Sequence, residues 1–421
     1  MKVLIIAYVW PEPNSSAAGL RDLGLLLALR EGGYKVYCSS PSKESVHSHA
    51  LNELGIETVT LAANDPAFDE YVKELQPDFV VFDRFVTEEQ FGWRVELNCP
   101  QAVRILDTQD LHFLRRGREK ALQSGTSLAD IFACRFDLVS EDALRELASI
   151  YRSDLTWVLS DFEATLLKER FNIPAELCRV SRFFYAPPSG GPVFSARRNF
   201  VMLGNFRHAP NADAVHWLKS EIWPAIRAKL PAPLKSAEVH VYGAYPSREM
   251  MGLSDPASGF KVMGPAKDQY EVLSGYRVNL APLRFGAGIK GKISDGWSVG
   301  TPAVTTPIGS EGMTDGGGWG GFIAHTVEEF ARQAVELYAG ERKWQQAQWG
   351  GHRILRSLFD GQAQTREILE TLKTVRADID ARRGRNIVGA MLRHHLHKST
   401  TYMSRWIELK SSVKQEVSVL L

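Results

Sequence analysis

From Ala281 to Met313 the chain reads APLRFGAGIKGKISDGWSVGTPAVTTPIGSEGM, which gathers the residue types that handle an anion. Gly286 and Gly288 let the backbone approach a ligand closely, and Lys290 and Lys292 follow at once. A helix is expected from about Ile293. The amide groups and dipole at such a helix start favour phosphate, and the lysines add positive charge. Asp295 is expected on the first turn, where its carboxylate would accept hydrogen bonds from ribose hydroxyls or merely complement the helix end. No GxxxxGK(S/T) run accompanies these residues, so a P-loop nucleotidase is not supported.

A second group lies earlier. Asp107, Asp110 and His112 follow the apolar run AVRILD, which reads as a buried strand. At the carboxyl edge of a parallel sheet they would orient hydroxyl groups or act as a general base; the ordinary alternatives are helix caps and a satisfied histidine. Arg207 and His208 follow the run NFVMLGNF, in a loop that would present a cation to phosphate or form a surface ion pair. Gly19, after the first strand, would allow backbone approach to the same anion or simply open a helix.

The elements that must hold these residues come in two similar series. KVLIIAYV, KVYCSS, FVVF and AVRILD are strand-like runs without alternation, as in sheets covered on both faces. Between the first two, Leu20, Leu23, Leu26 and Leu27 recur at helical spacing, and Gly32-Gly33 stop the helix. A further helix is expected near Phe68 to Leu75. After the Pro-, Gly- and Ser-rich stretch APPSGGPVFSARR the series restarts with NFVMLGNF, a helix through DAVHWLKSEIWPAI, then AEVHVYG, FKVMG, VNLAPL and PAVTT. The expected fold class is α/β, with two doubly wound Rossmann-like domains facing across a cleft and a helical C-terminal extension. The boundaries read as 1–185, a linker 186–198, a second domain 199–345, returning helices 346–375 and a basic amphipathic helical tail 376–421.

Composition narrows the function classes. The 421 residues carry 50 basic and 49 acidic side chains, a balance unlike that of a nucleic-acid-binding protein. Cys38, Cys99, Cys134 and Cys178 lie far apart, forming neither a zinc pattern nor a dense disulfide framework, which fits a reducing compartment. The opening MKVLIIAYVW is followed directly by Pro11-Glu12-Pro13 and reads as a strand rather than a signal peptide. No apolar run reaches the roughly 18 residues of a membrane span, and a cytoplasmic protein, at most peripheral at a membrane surface, is expected. The tail mixes Arg, Lys and His with Ile387, Val388, Met391, Leu392, Leu396, Trp406 and Ile407. Such a helix would bind acidic lipid or a partner protein, or pack on the body with a solvated face.

The run GxGxKxK, an acidic residue and GTPxVxTPIGxEGM resembles the donor-binding half of family-4-type, GT-B-fold glycosyltransferases. GNFRHAPNADAVHWL and ILDTQDLHFLRR resemble the opening of that half and part of the acceptor half, so the likeness covers about residues 1–370. It implies a nucleotide-sugar co-substrate, retention of anomeric configuration, no metal and no further cofactor. It also implies donor contacts from Gly19, Arg207, His208, Gly286, Gly288, Ile289, Lys290 and Asp295, and an acceptor of unknown class. Two departures stand out: Asp295 replaces the second glutamate of the family's Glu-x7-Glu pair, and Ala287 replaces the first. These leave a non-catalytic nucleotide-binding scaffold as the alternative. A nucleotide-sugar epimerase would need a set of acid–base residues around the sugar that the chain does not display.

Overall fold

The computed structural model describes residues 1–420 except Ser189 and Asp315, with side chains described outside 396–398 and 411–420. Two parallel sheets are present. The first uses β1 (Lys2–Ile6), α1 (Ala17–Glu31), β2 (Lys35–Ser40), β3 (Glu57–Thr60), α2 (Ala67–Leu75), β4 (Phe79–Asp83), α3 (Arg84–Asn98), β5 (Val103–Asp107), α4 (His112–Gln123), α5 (Leu128–Phe132), α6 (Glu141–Arg152), β6 (Leu155–Val158), α7 (Asp161–Phe171) and β7 (Cys178–Val180). Its strand order is β3-β2-β1-β4-β5-β6-β7. Chain direction along the sheet therefore reverses between β1 and β4, which opens a crevice beyond their carboxyl ends.

The second sheet repeats the plan with β8 (Arg198–Leu203), α8 (Ala209–Trp217), α9 (Trp223–Lys229), β9 (Val239–Tyr242), α10 (Arg248–Gly252), β10 (Phe260–Gly264), α11 (Gln269–Gly275), β11 (Tyr276–Ala281), α12 (Gly291–Ser298), β12 (Ala303–Thr305), α13 (Pro307–Ser310), β13 (Gly321–Ile323) and α14 (Val327–Ala339). Its order is β10-β9-β8-β11-β12-β13, with the reversal between β8 and β11. The expected single helix after β8 is broken by a π-helical turn over Leu218–Ile222 ahead of Pro224. Proline lacks the amide that would continue the α-helical ladder.

Both sheets are buried on two faces, which is why their central strands read as unbroken apolar runs. Val3, Leu4 and Ile6 in β1 and Phe200, Val201 and Met202 in β8 are fully buried. The last helices tie the halves together. α15 (Glu341–Leu358) packs on α12, and α16 (Gly361–Ala377) returns to α1, where Leu369 meets Gly32 and Ile368, Leu372 and Val375 join the first domain's core. α17 (Ile379–Arg385) leads into α18 (Ile387–Leu420), which lies along α6 and α3. The Leu396 side chain and the side chains of 411–421, part of the expected amphipathic tail, lie outside the described residues. No helix among the described residues is long and apolar enough to cross a membrane.

Candidate active site

The carboxyl edges of the two sheets face each other across a cavity of about 570 Å³. The second domain lines one wall with Gly286, Ala287, Ile289, Lys290, Lys292 and Asp295, together with Arg207, His208 and Asn211. The first domain supplies Asp110, His112, Arg115, Arg84 and the segment Asn14–Ala18. Three of the sequence candidates, Gly19, Asp107 and Gly288, do not form part of this lining.

The lysines stand at the mouth of α12. Lys290 is its N-cap residue, and its Nζ donates to the carbonyls of Ala287 and Gly288. Burial lowers the Lys290 pKa to about 8. Lys292 Nζ donates to Oδ1 of Asn211 at 2.6 Å, and enclosure by the cleft walls, reinforced by the charge of Lys290, lowers its pKa to about 7. Two amines held this way bind a proton more tightly once an anion arrives. Asp295 lies on the second turn of α12, not the first, because the helix begins at Gly291. Its carboxylate accepts from Tyr185 Oη at 2.6 Å. Burial pushes the Asp295 pKa up to about 7, against the hydrogen bonds of Tyr185 and Tyr270.

Arg207 is exposed on the cleft rim and stacks 3.8 Å from the ring centre of Tyr245. Tyr245 Oη in turn donates to Glu12 of the first domain at 3.0 Å. His208 beside it lines the cleft, where desolvation by the walls, with the charges of Arg115 and Lys292, pushes its pKa down. It therefore enters the cleft as neutral imidazole.

On the opposite wall, Asp110 accepts from Arg115 Nε at 2.7 Å and lies 3.1 Å from His112 Nε2. Burial alone would raise the Asp110 pKa, but Arg115 and His112 hold it well below the ordinary carboxylate range. It is a fixed negative charge and hydrogen-bond acceptor rather than a base at neutral pH. His112 is nine-tenths buried, rests edge-on against Phe85, and has no hydrogen-bond partner at Nδ1. Glu146 accepts from the amides of His112 and Phe113, closing the start of α4. Asp107 turns away from the cleft into a buried ion pair with Arg21, at 3.0 Å. Gly19 belongs to α1 rather than to a loop: its amide donates to the N-cap Ser16, and a Cβ there would fall 2.4 Å from the Glu12 backbone. Its lack of a side chain thus serves the close packing of that loop.

Sequence reasoning missed the residues that couple the two walls. Glu163 on α7 accepts from the amides of Leu111 at 3.2 Å and Gly288 at 3.0 Å. The Gly288 amide is therefore already used by the first domain. Burial and the nearby Asp110 raise the Glu163 pKa to about 7. Arg118 on α4 donates to the Gly286 carbonyl at 2.7 Å and pairs with Glu311. The sequence signal at Ser160-x-x-Glu163 is a capping box, which reads as a helix start. Its second oxygen's reach to the other domain has no local signature.

Residues 197–340 match the family model described as glycosyl transferases group 1. No curated protein matches the chain in sequence. Among solved structures, a sucrose-phosphate synthase from Thermosynechococcus elongatus superposes with a TM-score of 0.66 at 15% identity, covering 90% of this chain and 99% of that one. HepE from Anabaena, in complex with UDP and glucose, gives 0.65 at 12%, covering 89% and 99%. The same protein in complex with UDP-glucose also gives 0.65 at 12% identity, covering 89% and 100%. TarM gives 0.66 at 8%, covering 88% and 98%. Two doubly wound domains, a cationic cleft between them and the likeness to these structures lead to one conclusion: the chain has the GT-B fold, and its second domain, over residues 197–340, matches the glycosyl transferases group 1 model.

Proposed function

We propose that this protein transfers a sugar from a nucleotide-sugar donor to a hydroxyl acceptor, with retention and without a metal. The observation that carries the reading is the pair Lys290 and Lys292 at the start of α12, both facing the cleft with lowered pKa values. A diphosphate placed there meets two amines, the helix dipole and Arg207 from the rim. Charge that builds on the departing diphosphate would be stabilised by groups already in position. Gly286 and Ile289 flank the phosphate, His208 is a neutral donor beside it, and Asp295 takes the ribose hydroxyls.

Ala287 leaves the sugar without the carboxylate that the family resemblance implies. Asp110 fills this gap in the proposed scheme: its Cβ lies 2.9 Å from the place a Cβ on Gly288 would occupy, against the glycine-rich loop, and Asp110 lines the cleft. Asp110 would hold a sugar or acceptor hydroxyl, with His112 Nε2 beside its carboxylate at 3.1 Å. The C1–oxygen bond to the diphosphate breaks with its electron pair moving to the phosphate oxygen. The acceptor oxygen then bonds to C1 on the same face, and the phosphate oxygen takes the acceptor proton.

The test is a thermal-shift and calorimetric screen of nucleoside diphosphates and nucleotide sugars. A ligand of the native state raises its melting temperature by mass action. The reading expects one nucleotide sugar to bind and to be slowly hydrolysed, with both effects lost in Lys290→Ala. Binding without turnover in the presence of candidate acceptors would favour the scaffold reading that Ala287 suggests. Absence of any binding at millimolar ligand would overturn the donor site.

A further inference from the structure

The helix α18 has one face committed to the first domain and another whose described apolar side chains are largely exposed. On the committed side, Asn386 Nδ2 donates to the Tyr151 carbonyl at 2.7 Å, and a Cβ on Gly389 would fall 2.1 Å from that same oxygen. Arg393 pairs with Glu96 at 3.3 Å, Arg94 donates to Ser404 at 3.0 Å, and Arg94 also pairs with Glu408. These contacts hold the helix lengthwise against the body.

On the other side Ile387, Val388, Met391, Tyr402, Trp406 and Leu409 are exposed, with Tyr402 at 72%, Leu409 at 66% and Trp406 at 59%. At 3.6 residues per turn all six fall within a sector of about 100°, over about 33 Å of helix. Arg405 and Lys410 are exposed beside them, and Lys410 Nζ sits 4.9 Å from the centre of the Trp406 ring. Among the described side chains of α18 the one carboxylate, Glu408, is turned inward to Arg94. The free face is thus apolar, aromatic and basic.

We propose that this face docks the protein on a bilayer surface rich in anionic lipid. Trp406 and Tyr402 enter the headgroup boundary, Met391 and Leu409 reach the acyl chains, and Arg405 and Lys410 meet the lipid phosphates. The same pattern has no acidic counter-charges, which a second copy of this face would need for pairing.

The experiment is co-sedimentation of the full chain with vesicles of phosphatidylcholine alone or with phosphatidylglycerol at equal parts. The expected result is binding to the anionic vesicles and at least tenfold weaker binding to neutral ones. Arg405→Glu with Lys410→Glu should reduce anionic binding by roughly 25-fold or more, since each basic group near such a surface contributes roughly a fivefold factor and the new carboxylates are repelled. Met391→Ser with Tyr402→Ser and Trp406→Ser should abolish it at unchanged melting temperature, these side chains being exposed. Equal sedimentation of wild type and both variants would overturn the proposal. So would a dimer, seen by analytical ultracentrifugation, that the triple variant disrupts while vesicle binding persists.

Discussion

The Gly288 amide in the second domain donates to Oε1 of Glu163 in the first, across the interface between them at 3.0 Å. Glu163 also accepts from Leu111 through Oε1 and from Leu159 through Oε2. One buried carboxylate therefore fixes the glycine-rich loop, the start of α4 and the end of β6 against each other. Glu163→Gln turns one oxygen into a donor facing amides. At pH 8, above the Glu163 pKa of about 7, it should cost about 1–3 kcal/mol of stability. Urea denaturation at that pH checks the cost, and calorimetry should show weaker nucleoside diphosphate binding as the loop loosens.

Lys290 and Lys292, with pKa values lowered to about 8 and about 7, release protons as pH rises through about 7 to 8 when no anion is bound. A diphosphate favours their charged forms. Binding should therefore take up protons, and affinity should fall as pH rises above about 7 and further above about 8. Calorimetry of UDP in buffers of different ionisation heat measures the uptake; a pH-independent affinity would remove the lysines from the phosphate site.

Removal of one cationic contact should weaken diphosphate binding by roughly tenfold or more, the range of a charge-assisted hydrogen bond. Lys290→Ala and Arg207→Ala are the two variants. Arg207 is exposed, so its variant should melt with the wild type while binding less tightly.

Asp295 provides a pH signature. Its folded pKa of about 7 lies above the usual aspartate value, so between about pH 4 and 7 the folded protein keeps a proton that the unfolded chain releases. This group's contribution to stability is greatest at the acid end of that window and is lost as pH rises. Asp295→Asn keeps an acceptor for Tyr185 and removes the titration. Its melting temperature relative to wild type should rise from pH 4 to 7, while UDP affinity drops if ribose binds there.

Asp107 and Arg21 are a structural pair. Arg21→Met leaves a buried carboxylate alone and should cost about 3–5 kcal/mol, measured by denaturant unfolding. Asp107→Asn should lower stability while leaving turnover per folded molecule close to wild type, because Asp107 does not line the cleft.

Much of this architecture is written locally in the chain. The central strands β1, β4, β5, β8 and β11 are legible because burial on both faces demands continuous apolar runs. β3, with its half-exposed ETVT, and β13, only GFI, carry no such signal, since edge and short strands are selected mostly by their neighbours. The clustering of Lys290, Lys292, Asp295, Asp110 and His112 was also legible, because carboxyl ends of parallel strands meet at the cleft whatever the loops do.

What the sequence by itself determined was the two-sheet plan and the cationic loop at the start of α12, both products of local pattern. Tertiary structure alone decided which polar groups are free for a ligand. Asp107, at the end of β5, and Asp110 are three residues apart, yet Arg21 takes the first out of the cleft and Arg115 holds the second ionised within it. Glu163 looks like a helix cap until the other domain brings Gly288 to its oxygen. Partners of this kind come from residues distant in the chain, and pairing in a low-dielectric interior, not residue type, sets what each charge can do.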